Sequence, residues 1–528
     1  MPGASKLCCS SNPAQRSEAV MRNRDPNQGR AWTWDQDPHG SARWADSAHL
    51  EARGYGSSGP HLLGYLPSNN RRSGAAPVTY GGDRHEMIVA PTRGGKAVSG
   101  AVPRLLDHQG GIVVIDPKDG ELAKLTARFR RYGMGQMLVL FDPYDVFASS
   151  IGDRPAKIDP VSMIDLESDA AFDDAMLIAS AIVVPEGGAD SHWSAEAESL
   201  IAGLILREAE IGGDLAGVRA ALSLSSDAFE QYVAGMIASP SPLVKRAGAR
   251  IDNKSERELS SVISTAQRNT HFLESQKLAD SLSCSNFDLG DIGDETAIYI
   301  ILPARRIRTA RGWLRLLTAL LINAVTQRQT RPDDPVLFVL EEMAALERME
   351  IVERSFGLMA GYGLQLLGIV QDFTQIKDLY RSRWETFIAN SASVQCFGTN
   401  DVFTARYLSS LAGTSSTQKT SFESALVRSS AFGDPEFSGA GDSHGSRPLI
   451  TPDEMMSLHP SVQFIKLAGA LPVIGWRPAY FLDRRYRYAS GMPLWDAEFM
   501  PHSIVRSVDF TKPGFDVGAA LEPHLKVG

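Results

Sequence analysis

Residues Met87-Ile-Val-Ala-Pro-Thr-Arg-Gly-Gly-Lys-Ala-Val-Ser-Gly100 decide how the rest of the chain is read. An apolar run, Met87 to Ala90, enters a turn containing Gly94 and Gly95; Lys96 follows, and a helical pattern begins. That is the layout of a phosphate-binding loop, in which backbone N–H groups and a helix N-terminus converge on an anion and a lysine adds a point charge. The consensus G-x-x-x-x-G-K-[ST] is kept at Gly95-Lys96. Ala90 stands in place of its first glycine, and Ala97 in place of its Mg²⁺-binding hydroxyl. Read by itself, the stretch is equally a strand–turn–helix junction with an incidental lysine. The candidate nucleotide-binding positions are Thr92, Arg93, Gly94, Gly95, Lys96, Ala97 and Val98.

The segments that follow alternate short apolar strands with helical patterns. Ile112-Val-Val-Ile115 ends in Asp116-Pro-Lys118, and Met137 to Phe141 ends in Asp142. Such alternation predicts an α/β fold with a mainly parallel sheet and helices on its faces, and such sheets bind ligands at strand C-termini. Asp116, Lys118 and Asp142 lie there, although helix capping or turn formation explains either aspartate equally well. Between about Ser168 and Ser283 the pattern becomes helix after helix, which reads as an all-α insert. Its Lys254, Arg257, Arg268 and His271 either face nucleic acid or lie on a solvated helix face, the commoner case.

The α/β pattern resumes at Ala297, and Val336-Leu-Phe-Val-Leu-Glu-Glu342 then has the form of a Walker B strand. In P-loop enzymes one such carboxylate holds Mg²⁺ and the next polarises the attacking water. Glu341 is therefore the candidate metal ligand and Glu342 the candidate base, with glutamate standing where aspartate is usual. Leu364 to Val370 is a further apolar strand, ending in Gln371, which is placed either to sense a γ-phosphate or to cap the next helix. Lys96, Glu342 and Gln371 are the candidate catalytic residues. Residues 414–446 read as a mobile loop, and 461–475 as two short strands around a turn.

Composition narrows the class. The chain has 528 residues, 43% hydrophobic and 22% charged, with net charge −9. It is too long for one core, so roughly two to four domains are expected. Any contact with nucleic acid must come from a local patch, because there is no global basic field. Cys8, Cys9, Cys284 and Cys396 lack metal-ligand spacing and fit a reducing compartment. No apolar stretch reaches the ~18–20 residues of a membrane span; Leu314 to Val325 is interrupted by Arg315, Thr318 and Asn323. Residues 1 to about 75, with Trp32, Trp34 and Trp44, show no periodicity and read as a polar, mostly disordered leader.

Taken in order, these pieces resemble the coupling-protein ATPases of type IV secretion and conjugation, the TraG-type family, over about residues 80–485. The resemblance rests on Ala90-Pro-Thr-Arg-Gly-Gly-Lys96, Gly111-Ile-Val-Val-Ile-Asp-Pro-Lys118, Phe338-Val-Leu-Glu-Glu-Met-Ala-Ala-Leu346, Gln371-Asp-Phe-Thr-Gln375, Phe397-Gly-Thr-Asn-Asp401 and Arg447-Pro-Leu-Ile-Thr-Pro-Asp-Glu454. It implies a RecA-like P-loop NTPase domain in two parts, 76–167 and 286–490. An all-α domain is inserted at 168–285, and 491–528 form a C-terminal tail. It implies ATP and Mg²⁺ as cofactors and DNA-stimulated ATP hydrolysis. The implied partners are a relaxase–single-stranded DNA or effector cargo, type IV secretion channel components and five further copies in a hexamer. Family members usually begin with transmembrane helices; this chain has none, so peripheral association with the cytoplasmic side of the inner membrane is expected. An arginine finger acting in trans would come from Arg447 or from Arg305, Arg306 or Arg308, each of which is more readily read as a surface or DNA-facing arginine. Ala97 and Glu341 make binding the firmer expectation and hydrolysis the weaker one, and leave two alternatives. These are a weakly hydrolysing recruitment adaptor and a DNA-translocating repair or segregation ATPase.

Overall fold

The computed structural model describes residues 40–67, 75–185, 191–358, 360–421, 441–488 and 490–499. Thirteen strands occur among them. They are β1 (His61–Tyr65), β2 (Pro77–Tyr80), β3 (His85–Val89), β4 (Ile112–Asp116), β5 (Met137–Phe141), β6 (Thr296–Ile301) and β7 (Val336–Leu340). The rest are β8 (Leu364–Val370), β9 (Ser391–Cys396), β10 (Thr414–Ser421), β11 (Gly441–Pro448), β12 (Val462–Leu467) and β13 (Val473–Trp476). Eleven form one sheet in the order β2-β1-β13-β12-β9-β3-β8-β7-β4-β6-β5. The seven from β9 to β5 run parallel; the other four extend the sheet antiparallel.

Strands β4 to β7 are apolar almost end to end, and every residue of β3, β4, β6, β7 and β8 is buried. A strand covered by helices on both faces needs no polar alternation. Register matters more for the site. Val89 lies opposite Val370, Leu340 opposite Gly368, and Ile115 opposite Leu340. The C-terminal ends of β3, β8, β7 and β4 therefore lie side by side on one edge of the sheet, where ligands of such sheets collect.

The chain leaves this sheet between β5 and β6, which are hydrogen-bonded neighbours, for the helices Ser191–Ile211, Leu215–Leu222, Ser226–Ile237, Pro242–Asp252 and Glu256–Asn269. An all-α insertion in a mainly parallel α/β fold is thus what the helical stretch builds. Its longest helix buries Leu200, Ile201, Leu204 and Ile205. Lys254 is held by Glu196 at 2.5 Å and Glu258 at 2.8 Å, so it belongs to an ion-paired helix face. Arg315, the charge that interrupts the apolar helix Arg311–Thr326, is fully buried. Its guanidinium donates to the carbonyls of Ala181, Val183, Leu346 and Arg348 at 2.7–3.0 Å. It ties the chain entering the insert to the loop after β7. No helix among the described residues is long and apolar enough to cross a membrane.

Three expectations need correction. Residues 40–67 are not leader: Leu62, Leu63 and Leu66 are buried, and β1 joins β13 and β2. Trp44 meets Phe464 edge-on at 6.4 Å. His-Leu-Leu-Gly-Tyr shows no alternation because both its faces are covered, Leu62 in a cluster with Ile88 and Leu105, and Leu63 in one with Leu50, Val78 and Val473. Residues 1–39, including Trp32 and Trp34, lie outside the described set, as do 500–528. Before that point Trp495 is buried against Tyr480 at 5.1 Å, and the Asp496 N–H donates to the Leu125 carbonyl at 2.9 Å, so the tail begins as part of the core. The stretch read as a mobile loop starts and ends as a ribbon, β10 paired antiparallel with β11; residues 422–440 lie outside the described set.

Candidate nucleotide site

After β3 the chain turns over Pro91–Gly94, the Gly94 N–H donating to the Pro91 carbonyl at 2.9 Å. Arg93 and Gly95 both take positive φ, 62° and 79°. Glycine adopts that conformation without strain, whereas Arg93 adopts it at a cost of roughly 1 kcal/mol. A Cβ on Gly95 would also collide with the Arg477 guanidinium. Lys96 is buried and opens the helix, whose first turn, Ala97–Ala101, is a widened π turn before Val102–Asp107. Such turns cluster at functional sites because they re-aim backbone groups.

Lys96, Glu341, Glu342 and Gln371 come together at the sheet edge. Lys96 Nζ lies 2.8 Å from Glu342 Oε1. Gln371 Nε2 donates to Glu342 Oε2 at 3.0 Å, and Thr92 Oγ1 lies 3.4 Å from Gln371 Oε1. The strand carrying Gln371, β8, lies between the strand of the phosphate loop and the acidic strand, so its amide spans the two. Glu342 has φ 58° and ψ 54°, a left-handed conformation that a glutamate rarely adopts. Strain of this kind, about 1–3 kcal/mol, persists where surrounding contacts enforce it; here the contacts are Lys96, Lys118 and Gln371.

Lys118 was noted in the sequence as a polar group at a strand end but not as a site residue. Its ammonium is 3.0 Å from Glu341 Oε1 and 2.9 Å from Glu342 Oε1. Two lysines and two glutamates thus form one network. Burial alone would raise the Glu342 carboxyl, but hydrogen bonds from Lys96, Lys118 and Gln371 outweigh it and hold the group at about 2. Glu341 goes the other way: it is almost wholly buried, and burial raises its carboxyl against the opposing charge of Lys118. Asp116 is raised as well, by burial and then by the charge of Glu341.

Arg477, just past β13, is the residue no motif pointed to. Its Nη2 donates to the Gly94 carbonyl at 2.6 Å and to Ser99 Oγ at 3.2 Å, and Nη1 donates to the Pro460 carbonyl at 2.7 Å. The guanidinium lies over the Phe397 ring at 4.3 Å. It braces the loop after β3 from the antiparallel extension of the sheet. Other singled-out residues have ordinary partners. Asp142 accepts the N–H groups of Val146, Phe147 and Ala148, which is turn formation. Arg447 pairs with Glu454, Arg305 and Arg308 are exposed, and Arg306 lies 5.9 Å from the Tyr144 ring.

The donor set suits a magnesium nucleotide. Glu341 Oε2 and Asp116 Oδ1 are buried oxygens without a hydrogen-bond partner. Among the described residues no cluster of three or more His, Cys, Asp or Glu side chains forms a metal cage. Mg²⁺ needs none, since it is commonly held by one or two carboxylates together with phosphate oxygens and water.

Comparison with known proteins identifies the family and the fold. The family described as Type IV secretory system Conjugative DNA transfer matches residues 43–504. A conjugal transfer protein TraG of Escherichia coli is 27% identical over 524 residues, covering 86% of this chain and 78% of that protein. Protein VirD4 of Agrobacterium fabrum (strain C58 / ATCC 33970) is 25% identical over 466 residues, covering 86% and 67%. Among solved structures, the unbound bacterial conjugative coupling protein TrwBdeltaN70 superposes with a TM-score of 0.64 at 15% identity, covering 83% of this chain and 92% of that one. The plasmid coupling protein TrwB in complex with ADP and Mg²⁺ gives 0.63 at 14% identity, covering 83% and 94%.

Proposed function

Because this chain belongs to the type IV secretory system conjugative DNA transfer family, we propose that it is an ATP-binding coupling protein whose nucleotide cycle drives cargo to a secretion channel. One observation carries the chemistry: a single carboxylate, Glu342, is joined to the phosphate-loop lysine, to Lys118 and to the Gln371 amide. In this reading the backbone from Thr92 to Val98, through Ala97, cradles the phosphates. Lys96 leaves Glu342 to pair the β- and γ-phosphates, and Glu341 holds Mg²⁺. When bound, Mg²⁺ neutralises charge on the phosphate oxygens. Gln371 orients the attacking water. Glu342 is a poor proton acceptor while two lysines hold it at about 2, and its basicity rises once Lys96 turns to phosphate.

The cargo in this reading is single-stranded DNA with its relaxase, or an effector protein, and the working assembly is a homo-hexamer at the cytoplasmic face of the inner membrane. DNA would be held by its phosphates, so binding should weaken with salt and be largely indifferent to sequence. The test is ATP hydrolysis by the full chain with and without single-stranded DNA, beside Lys96→Ala and Glu342→Gln. DNA-stimulated turnover lost in both variants is expected. Turnover no higher than in the variants, with nucleotide binding intact, would replace the motor reading with that of a recruitment adaptor, which Ala97 and Glu341 favour.

A further inference from the structure

The Lys118 ammonium is within 3.0 Å of both acidic side chains after β7, and of their four carboxylate oxygens it uses Glu341 Oε1 and Glu342 Oε1. Glu341 is almost wholly buried and its other oxygen has no hydrogen-bond partner. A cation bridging Glu341 Oε1 and Glu342 Oε1 would sit where this ammonium sits. With Lys96 on Glu342 as well, the four side chains sum to zero formal charge, and such a set attracts a second cation weakly. The lysine also has a way out. Its side chain is about one-third exposed, whereas the backbone beside it is anchored, the Asp119 N–H donating to the Leu302 carbonyl at 3.0 Å. The four-carbon stem can turn toward solvent without moving the strand end.

We propose that Lys118 is a built-in competitor of the divalent ion: a positioning residue that holds Glu341 and Glu342 together and yields its place when the metal enters. The inference rests on the assignment of Glu341 to Mg²⁺ in the proposed function. It makes metal entry an exchange of cations rather than the filling of an open anionic site. Removing the lysine leaves the remaining three side chains with net charge −1, which favours a divalent ion.

The experiment uses the full chain without nucleotide and Mn²⁺ as the probe, which takes the same hard oxygen ligands, with free ion followed by electron paramagnetic resonance. Lys118→Met should lower the half-saturating Mn²⁺ concentration about tenfold, the effect of one unit charge at close range in a partly screened site. Lys118→Arg should stay near wild type, and Glu341→Gln added to Lys118→Met should abolish the gain. If Lys118→Met fails to fold, Lys118→Gln gives the same comparison. Unchanged Mn²⁺ affinity in the neutral variants, or a gain that survives Glu341→Gln, would overturn the proposal. A parallel titration with a fluorescent ATP analogue and Mg²⁺ on wild type and Lys96→Ala addresses the nucleotide reading separately. Its failure would sink that reading, while the Mn²⁺ comparison still decides the role of Lys118.

Discussion

Glu342→Gln should tighten nucleotide binding while it stops hydrolysis. The reason is that Lys96 has two claimants: the carboxylate 2.8 Å away and any phosphate entering the loop. Glu342 is held at about 2 instead of its ordinary 4.5, so its ionised form is favoured by roughly 3 kcal/mol. The site opens to water, and screening reduces that to about 1.5 kcal/mol. Burial opposes the lowering, which Lys96, Lys118 and Gln371 share, Lys118 through both a hydrogen bond and its charge; about 0.5–1 kcal/mol is a fair share for the pair that phosphate must break. Replacing the carboxylate by an amide frees that amount for binding, and affinity should rise about two- to fivefold. The assay is equilibrium titration with a fluorescent ATP analogue at fixed Mg²⁺, run beside turnover. An affinity equal to or weaker than wild type would show that Lys96 does not trade Glu342 for phosphate, and the exchange reasoning would fail.

Lys96→Ala should weaken the same titration by about ten- to a hundredfold, the worth of a hydrogen bond to a charged group; the melting temperature should barely move, because Glu342 keeps Lys118 and Gln371. Arg477→Gln should reduce nucleotide affinity by roughly 1–2 kcal/mol through loss of its bonds to the phosphate loop, measured with turnover so that a change in affinity alone marks a positioning role. His85 gives a pH dependence. Burial pushes its imidazole down to about 4 against the pull of the Ser355 carbonyl, so below about 6.5 the unfolded chain takes up a proton that the folded chain refuses. Stability should be full above pH 6.5 and fall by roughly 2–3 kcal/mol as pH drops toward 4. His85→Gln should flatten the lower part of a melting-temperature profile, and an unchanged slope would count against this.

Legibility followed the range of the interactions involved. The buried strands β4, β6, β7 and β8 could be read directly, because an apolar run closed by a turn is a local pattern. Glu341, Glu342 and Gln371 could be named because they close such runs, and Lys96 because it follows the Gly94-Gly95 turn. Asp142 was ambiguous from its residue type alone, and only its three N–H donors assign it to a turn. Lys118 sat in plain view after Asp116-Pro117, yet nothing local says that its ammonium reaches both acids.

The sequence by itself determined the chemistry available and its place on the sheet. A parallel strand must end where its hydrophobic run ends, so the polar residues after β3, β7 and β8 were committed to one edge. The tertiary structure decided what touches what. It placed β8 between β3 and β7, so that Gln371 joins the two sides, and it put Arg477, beyond a hairpin the sequence does show, against the Gly94 loop, a contact the sequence does not. It also drew residues 40–67 and 490–499 into the core. Those are contacts between segments far apart in the chain, set by packing rather than by periodicity, and a local pattern cannot carry them.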